Sequence, residues 1–122
     1  MSLSVLAVDD SRTMRDMISI ALKQAGIEPT LAEDGEHGLE VLADMTPPDV
    51  IITDINMPKL DGFGFIDAVR KQNKHQGIPI LVLTTESAET LKARARQAGA
   101  TGWIVKPFDP VKLVRALKMV AG

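Results

Sequence analysis

Short apolar runs rich in β-branched residues alternate along the chain with segments of helical period. Several of these runs are apolar on both faces, which is typical of a parallel sheet that is covered by helices on both sides. The runs predict five strands at Val5–Val8, Ile27–Ala32, Val50–Thr53, Ile80–Thr84 and Trp103–Val105. The pattern therefore predicts an α/β domain.

Apolar positions spaced three and four residues apart predict a helix after each strand. Gly26 and Gly99 follow two of these segments and indicate where a helix stops. Asp109 is an N-cap residue and Pro110 suits the first helical position, so the last helix starts there. The predicted helices are Met14–Ala25, Glu36–Met45, Phe63–Lys74, Ala88–Ala98 and the segment that starts at Pro110.

Five strand–helix pairs in series predict a doubly wound, five-stranded parallel sheet with five helices. Pro29 lies inside the second strand and has no N–H group, so that strand belongs at an edge. The strand order 2-1-3-4-5 places it there. Sheets of this order bind ligands at the carboxyl ends of their strands, between strands 1 and 3.

Length and composition limit the classes of protein that fit. The 122 residues are expected to form one domain, 1–122, without an output domain. The absence of cysteine excludes disulfides, zinc–thiolate sites and cysteine nucleophiles. No apolar run approaches the roughly 18 residues of a membrane span, and the N-terminus lacks the basic region of a signal peptide. The expected location is the cytoplasm, with no membrane contact.

Charge is distributed unevenly between the two halves of the chain. The net charge of −2 argues against nucleic acid as a partner. Residues 1–61 carry 12 acids and 4 bases, whereas residues 62–122 carry 4 acids and 10 bases. One half thus holds an acidic feature and the other a basic face, although solvated helices alone produce similar numbers.

Polar residues stand where four of the predicted strands end. Asp9 and Asp10 follow strand 1, Asp54 follows strand 3, Thr84 ends strand 4, and Lys106 follows strand 5. Taken singly, each also fits a helix cap, a turn or an exposed side chain. Together they predict one site, because three close carboxylates require compensating cations. Lys106 supplies one charge, and the all-oxygen ligand set favours Mg²⁺.

These residues resemble those of the receiver domain of two-component response regulators. The strings VDDS, DINMPKLDG, LTTE and VKPF are similar to that family's motifs in both order and spacing. The resemblance covers essentially the whole chain and points to the single-domain, CheY-like group with its flavodoxin-like fold. It implies a signalling switch rather than an enzyme in the ordinary sense.

The resemblance also implies a role for each site residue. Asp54 is expected to accept a phosphoryl group, assisted by Lys106 and Thr84. Mg²⁺ is expected to bind Asp10, Asp54 and the main-chain carbonyl of Asn56, with Asp9 acting through a metal-bound water. Lys106 is expected to pair with Asp54 at rest and with the phosphoryl group afterwards.

Further expectations concern the surroundings of the site. Lys106–Pro107 resembles the family's cis peptide, and Gly62 fits its tight turn after strand 3. Asn56 and Glu86 match positions that tune the lifetime of the phosphoryl group.

The output is expected to be conformational. Movement of Thr84 toward the phosphoryl group lets the aromatic residue Trp103 swing inward, although Trp103 also fits a plain half-buried anchor. Indole is larger than the Tyr or Phe that the family usually has at this position. A basic docking surface for an acidic partner is predicted around helix 4, strand 5 and helix 5, although solvated helix flanks would look the same. Its residues are Lys92, Arg94, Arg96, Lys112, Arg115 and Lys118, with Trp103 among them.

The partners follow from the same resemblance. A sensor histidine kinase, of the chemotaxis type, is the expected phosphoryl donor, and the flagellar motor switch is the expected target of a monomeric protein. A phosphorelay intermediate or a phosphate sink is the alternative within this class. His37 and His75 are predicted to be surface residues without a role.

Two alternatives come from other classes of protein. A haloacid-dehalogenase-type phosphatase also uses an Asp nucleophile with Mg²⁺, but it needs a second acid where this chain has Asn56. A flavodoxin-like electron carrier binds its cofactor phosphate after strand 1, where Asp9 and Asp10 would repel it.

Overall fold

The computed structural model describes residues 3–122 of the chain. Its sheet is parallel throughout, with the strand order β2-β1-β3-β4-β5. Both the fold class and the order are as predicted, and Pro29 lies in β2 at one edge. The strands are β1 (Ser4–Val8), β2 (Glu28–Ala32), β3 (Val50–Thr53), β4 (Ile80–Thr84) and β5 (Gly102–Val105).

A helix follows every strand, and a short 3₁₀ turn at Asn73–His75 precedes β4. Within residues 3–122, no helix has the length and apolar character that a bilayer crossing requires. The helices are α1 (Arg12–Gln24), α2 (Gly35–Asp44), α3 (Gly62–Arg70), α4 (Glu89–Ala98) and α5 (Pro110–Ala121).

The core has two layers, one on each face of the sheet. Leu42, Phe65 and Ile66 of α2 and α3 pack on one face, and Ala95 of α4 joins the same layer. The other face is covered by α1 and α5. Alternate residues of the central strands are buried in opposite layers, which explains why the strands read as apolar on both faces.

The third helix ends earlier than the sequence predicts. It was expected to reach Lys74 but ends at Arg70, because Gln72 has an extended backbone (φ −91°, ψ 117°) and the chain then makes the 3₁₀ turn. The turn brings Ile78 into the core, where it is 8% exposed. It also buries His75 to 3% exposure, so the expectation that His75 lies on the surface is wrong.

The helices differ in how their first turns are capped. Ser11, Asp34, Asp61 and Asp109 each accept a hydrogen bond from a backbone N–H group in the first turn of α1, α2, α3 and α5. The predicted cap at Asp109 is thereby confirmed. The fourth helix differs, since its N-cap residue, Ala88, has no side-chain acceptor.

Candidate functional site

The carboxyl ends of β1, β3 and β5 bring three ionisable side chains together. Asp9 and Asp54 follow neighbouring strands, and the Asp54 N–H group donates to the carbonyl of Val8 at 3.0 Å. Lys106 follows β5, two strands away from Asp54 along the sheet. Its long side chain spans that distance and reaches Asp9, 97 positions earlier in the sequence, and Asp54, 52 positions earlier.

Lys106 pairs with both buried aspartates. Its Nζ atom lies 2.7 Å from Asp54 Oδ2 and 2.8 Å from Asp9 Oδ2. The three side chains are between 2% and 10% exposed, so these are charge-assisted hydrogen bonds largely shielded from water. The pairing of Lys106 with Asp54 was expected. The pairing of Lys106 with Asp9, at nearly the same distance, was not predicted.

Backbone groups occupy the remaining oxygens of these carboxylates. Asp54 Oδ1 accepts from the N–H groups of Ile55 at 2.6 Å and Asn56 at 3.4 Å. Asp9 Oδ1 accepts from the Ser11 N–H group at 2.9 Å. Arg15 was not among the predicted site residues, but its Nη1 atom donates to the Asp9 carbonyl at 2.8 Å and steadies the turn into α1. In the sequence, the one feature of Arg15 that pointed to this contact is its position in the first turn of α1, shortly after Asp9.

Burial and pairing shift the pKa values of this pocket. Burial raises the pKa of Asp9, although the hydrogen bond from Lys106 and the N–H group of Ser11 oppose that effect. For Lys106, burial alone would lower the pKa, but the hydrogen bonds and charges of Asp54 and Asp9 outweigh it and raise the pKa. Lys106 is therefore held as a cation between the two carboxyl groups.

The acidic cluster has the chemistry of a hard-cation site. One carboxylate oxygen each from Asp9, Asp10 and Asp54 lies within 4.8 Å of the others. Asp9 and Asp54 are buried, whereas Asp10 is exposed at the mouth. Lys106 is the cation that the structure places on this cluster, so negative charge remains for a divalent ion to balance. The donors are all oxygens, and they fit Mg²⁺.

Close packing shapes the loop after β3. A Cβ atom at Gly62 would lie 2.2 Å from the carbonyl oxygen of Asp54 and 2.7 Å from Ile55 Cα. Only glycine fits there, which explains the residue that the resemblance assigned to this turn. Asn56, in the same loop, is exposed beside the pocket. The Lys106–Pro107 peptide bond is cis, as the resemblance implied.

A chain of weaker hydrogen bonds leads away from the pocket. Thr84 is fully buried, and its Oγ1 accepts from the Glu86 N–H group at 3.4 Å. The Glu86 carbonyl accepts from Trp103 Nε1 at 3.0 Å. The side chains of Glu86 and Trp103 are both half-buried. Thr84 and Trp103, the two residues of the expected switch, are thus connected through the backbone of Glu86.

Two clefts flank Trp103, and basic residues line both. Lys92 and Arg96 of α4, together with Trp103, line a cavity of about 190 Å³. Lys112 of α5, together with Trp103, lines a second cavity of about 400 Å³. Arg115 and Lys118 are exposed on α5. The docking role of this basic face stays a prediction.

Arg94 does not join this face. Its guanidinium carbon lies 4.0 Å from the centre of the Phe63 ring, so the side chain packs against α3. Helical geometry is the reason, because residues 92 and 96 share one side of α4 while residue 94 is about 200° from residue 92 around the axis. The inclusion of Arg94 in the face around Trp103 is therefore wrong.

Comparison with known proteins identifies the family. The model of the response regulator receiver domain matches residues 5–118. The chain is 40% identical over 121 residues to chemotaxis protein CheY1 of Helicobacter pylori, covering 98% of both chains. Its structure matches chemotaxis protein CheY4 of Vibrio cholerae with a TM-score of 0.93 and 45% identity, covering 98% of this chain and 99% of the other.

A further structural relative was solved with a metal ion. It is the receiver domain of sensor histidine kinase PA1611 from Pseudomonas aeruginosa, with a magnesium ion coordinated in its active-site cleft. The TM-score is 0.91 at 27% identity, and the match covers 100% of this chain and 99% of the other.

The fold and the pocket together define a signalling receiver, with buried acids and a buried lysine at the carboxyl edge of a 2-1-3-4-5 sheet. The chain belongs to the response regulator receiver family, and it is CheY-like over nearly its whole length. Members of this family are response regulators rather than enzymes in the ordinary sense, so the match favours signalling over the phosphatase and electron-carrier alternatives.

Proposed function

We propose that the protein accepts a phosphoryl group on Asp54 from the phosphohistidine of a sensor histidine kinase. The observation that carries this proposal is the buried Asp54 carboxylate, held at 2.7 Å by Lys106 inside a cluster of three acids. This carboxylate is oriented by its neighbours, and the adjacent cation stabilises the negative charge that develops during transfer.

The reaction is a transfer between two groups. A carboxylate oxygen of Asp54 attacks phosphorus, a P–O bond forms, and the P–N bond of the phosphohistidine breaks. The imidazole leaves with the bonding electron pair. Lys106, which Asp54 and Asp9 hold as a cation at rest, then exchanges its contact with Asp54 for one with a phosphoryl oxygen. Water later attacks phosphorus, the P–O bond to Asp54 breaks, and inorganic phosphate leaves, which regenerates the Asp54 carboxylate.

The pocket is proposed to bind Mg²⁺ during transfer. Asp10, Asp54 and the main-chain carbonyl of Asn56 would hold the ion, and Asp9 would act through a metal-bound water. When bound, the ion supplies positive charge that balances the transferring oxygens. The all-oxygen donor set supports this assignment, as does the uncompensated charge of the three carboxylates beside one lysine.

Phosphorylation is proposed to reach the partner surface through Thr84. When the Thr84 hydroxyl turns to the phosphoryl group, the Glu86 N–H group loses its acceptor. The loop that contains Glu86, and that accepts the hydrogen bond of Trp103, is then free to move. The affected surface lies around the two clefts beside Trp103. Asn56 and Glu86, beside the pocket, are proposed to set the lifetime of the phosphoryl group. The basic residues that we propose for partner binding are Lys92, Arg96, Lys112, Arg115 and Lys118.

Chemotaxis is the proposed context, with a chemotaxis-type kinase as donor and the flagellar motor switch as target. Relatives bearing chemotaxis names support the context, and the basic face supports a target segment that is acidic. We propose the cytoplasm as the compartment in which a monomer acts.

One observation favours a phosphorelay intermediate or a phosphate sink as the second candidate. Trp103 already donates to the Glu86 carbonyl at 3.0 Å in the unphosphorylated protein. Because the indole already has a hydrogen-bond partner, phosphorylation offers less stabilisation for a movement of Trp103.

The test combines intact mass with Trp103 fluorescence in the presence of acetyl phosphate and Mg²⁺. We expect the mass of one phosphoryl group to be added to the wild type and none to be added to Asp54→Asn, which keeps the shape of the side chain but loses the nucleophile. Fluorescence that changes in step with mass supports output through Trp103, and silent fluorescence favours relay or storage. A phosphorylated Asp54→Asn protein would falsify the assignment of the acceptor.

A further inference from the structure

Arg70, at the end of α3, connects three segments that are distant from the phosphoryl-accepting pocket. Its Nε and Nη2 atoms donate to the carbonyl of Gly99 at 3.1 and 2.8 Å. Its Nη1 atom donates to the carbonyl of Gln76 at 3.0 Å and to that of His75 at 3.4 Å. Across residues 3–122, no carboxylate forms a salt bridge with Arg70, so main-chain carbonyls alone balance this half-buried cation.

Gly99 is the residue at which α4 ends. Its backbone is left-handed (φ +114°), and its N–H group donates to the carbonyls of Ala95 and Arg96 at 3.1 Å. A Cβ atom at Gly99 would lie 2.8 Å from Arg70 Cγ, so the arginine fills the space of a side chain. A guanidinium that donates twice at the negative end of the helix dipole is a strong attachment.

The other end of α4 is held far less firmly. Ala88 offers no side-chain cap, and residues 87–90 are all exposed. The loop before it contains Glu86, whose backbone carries the hydrogen bonds to Thr84 and Trp103. The loosely held end of α4 therefore adjoins the phosphoryl-accepting site, and the firmly held end adjoins Arg70.

We propose that Arg70 is a positioning residue that fixes the C-terminal end of α4, so that this helix turns about Gly99 when Asp54 is phosphorylated. The proposal rests on the proposed function for the signal that moves the helix. A helix fixed at one end moves most at the other. Lys92, nearer the free end, shifts relative to Trp103 more than Arg96, which lies one turn from Gly99. Phosphorylation thus reshapes one end of the basic cleft and preserves the other.

The direct test is amide hydrogen exchange along α4, before and after phosphorylation of the wild type by acetyl phosphate and Mg²⁺. We expect the exchange rates of amides 86–92 to change about tenfold or more on phosphorylation and those of amides 97–101 to stay within about twofold. Intact mass gives the phosphorylated fraction in the same samples. Equal changes at both ends of α4 would overturn the fixed-end proposal.

Variants of Arg70 test the attachment itself. Arg70→Gln removes the charge and the paired bonds, and we expect amides 99–101 of the unphosphorylated protein to exchange about tenfold faster. Arg70→Lys retains the charge with one donor group and should recover part of the protection. The control is Lys71→Gln, an exposed neighbour that pairs with Asp67, and this variant should match the wild type.

The outcomes separate the two proposals. Wild-type protection at amides 99–101 in Arg70→Gln overturns the role of Arg70. Absence of a phosphoryl mass on the wild type overturns the proposed function, while the unphosphorylated variants still decide the attachment. If Arg70→Gln does not fold, Arg70→Lys and the wild-type exchange pattern decide instead.

Discussion

The carboxyl edge of the sheet is built in two contrasting ways. At the ends of β1, β3 and β5, buried charges meet at 2.7 and 2.8 Å. At the end of β4, the links from Thr84 to Glu86 and from Glu86 to Trp103 are neutral, with lengths of 3.4 and 3.0 Å. Charge-assisted bonds hold the groups proposed to react, whereas each neutral bond contributes only about 1 kcal/mol and is easily exchanged. The proposed chemistry thus takes place in a rigid part of the molecule and the proposed output in a yielding one.

The largest expected effect tests the rigid part. Lys106→Ala leaves Asp9 and Asp54 buried side by side without their cation, which should lower the free energy of unfolding by about 3 kcal/mol without Mg²⁺. Adding Mg²⁺ should recover part of this loss, because a divalent ion can take over the balancing of charge. Urea unfolding with and without Mg²⁺ measures both effects. Lys92→Ala is the matched control, and a loss of the same size there would remove the special role of the pocket.

A buried histidine without a charged partner provides the next test. His75 Nδ1 contacts Gln72 Oε1 at 2.5 Å, which assigns the proton to Nδ1, and Nε2 is buried without a partner in the described structure. Burial, followed by the nearby charge of Lys74, lowers the pKa of His75 below its usual value. Arg70, whose Nη1 lies 3.4 Å from the His75 carbonyl, adds a further cation nearby.

The sign of the pH dependence follows from this lowered pKa. Above about pH 6.5 both the folded and the unfolded state hold His75 neutral, so it has no effect. Below that pH the unfolded state takes up the proton first, and stability should fall by at most about 1.4 kcal/mol per pH unit. Between about pH 7.5 and pH 5, the free energy of unfolding, measured with urea, should fall less steeply with decreasing pH for His75→Gln than for the wild type. His37→Gln is the control, and an equal pH dependence of the free energy of unfolding in all three proteins would refute the effect.

The smallest expected effect tests the yielding part. Trp103→Phe removes the hydrogen bond to the Glu86 carbonyl but keeps an aromatic ring, so the free energy of unfolding should fall by about 1 kcal/mol. Circular dichroism during urea unfolding measures it, because the variant lacks the only tryptophan. A loss as large as that of Lys106→Ala would contradict the contrast between the two parts.

Sequence reasoning predicted the architecture well because the signals were local and mutually consistent. Two strands, Val50–Thr53 and Ile80–Thr84, have the predicted bounds. Pro29 correctly predicted an edge strand from one missing N–H group. Asp9, Asp54 and Lys106 were predicted to converge because each follows a strand, and parallel strands present their ends at one edge.

The errors arose where side-chain direction or a long-range contact decides the structure. His75 reads as a polar residue among polar neighbours, but the turn that brings Ile78 into the core also buries it. Arg94 belongs to a basic segment, but its place around the helix axis directs it to Phe63. Arg70 carries no sequence signal for its contact with Gly99, which lies 29 residues away.

By itself, the sequence determined the strand and helix pattern, the parallel sheet and the identity of the residues at its carboxyl edge, because hydrophobic period and turn chemistry are local properties. Only the tertiary structure decided that Lys106 is shared between two aspartates, that Trp103 bonds to the backbone of Glu86, and that Arg70 holds the end of α4. Each of these depends on interatomic distances between distant parts of the chain that are set to within about a few tenths of an ångström. Such distances are set by packing across the whole domain and not by any one segment of it.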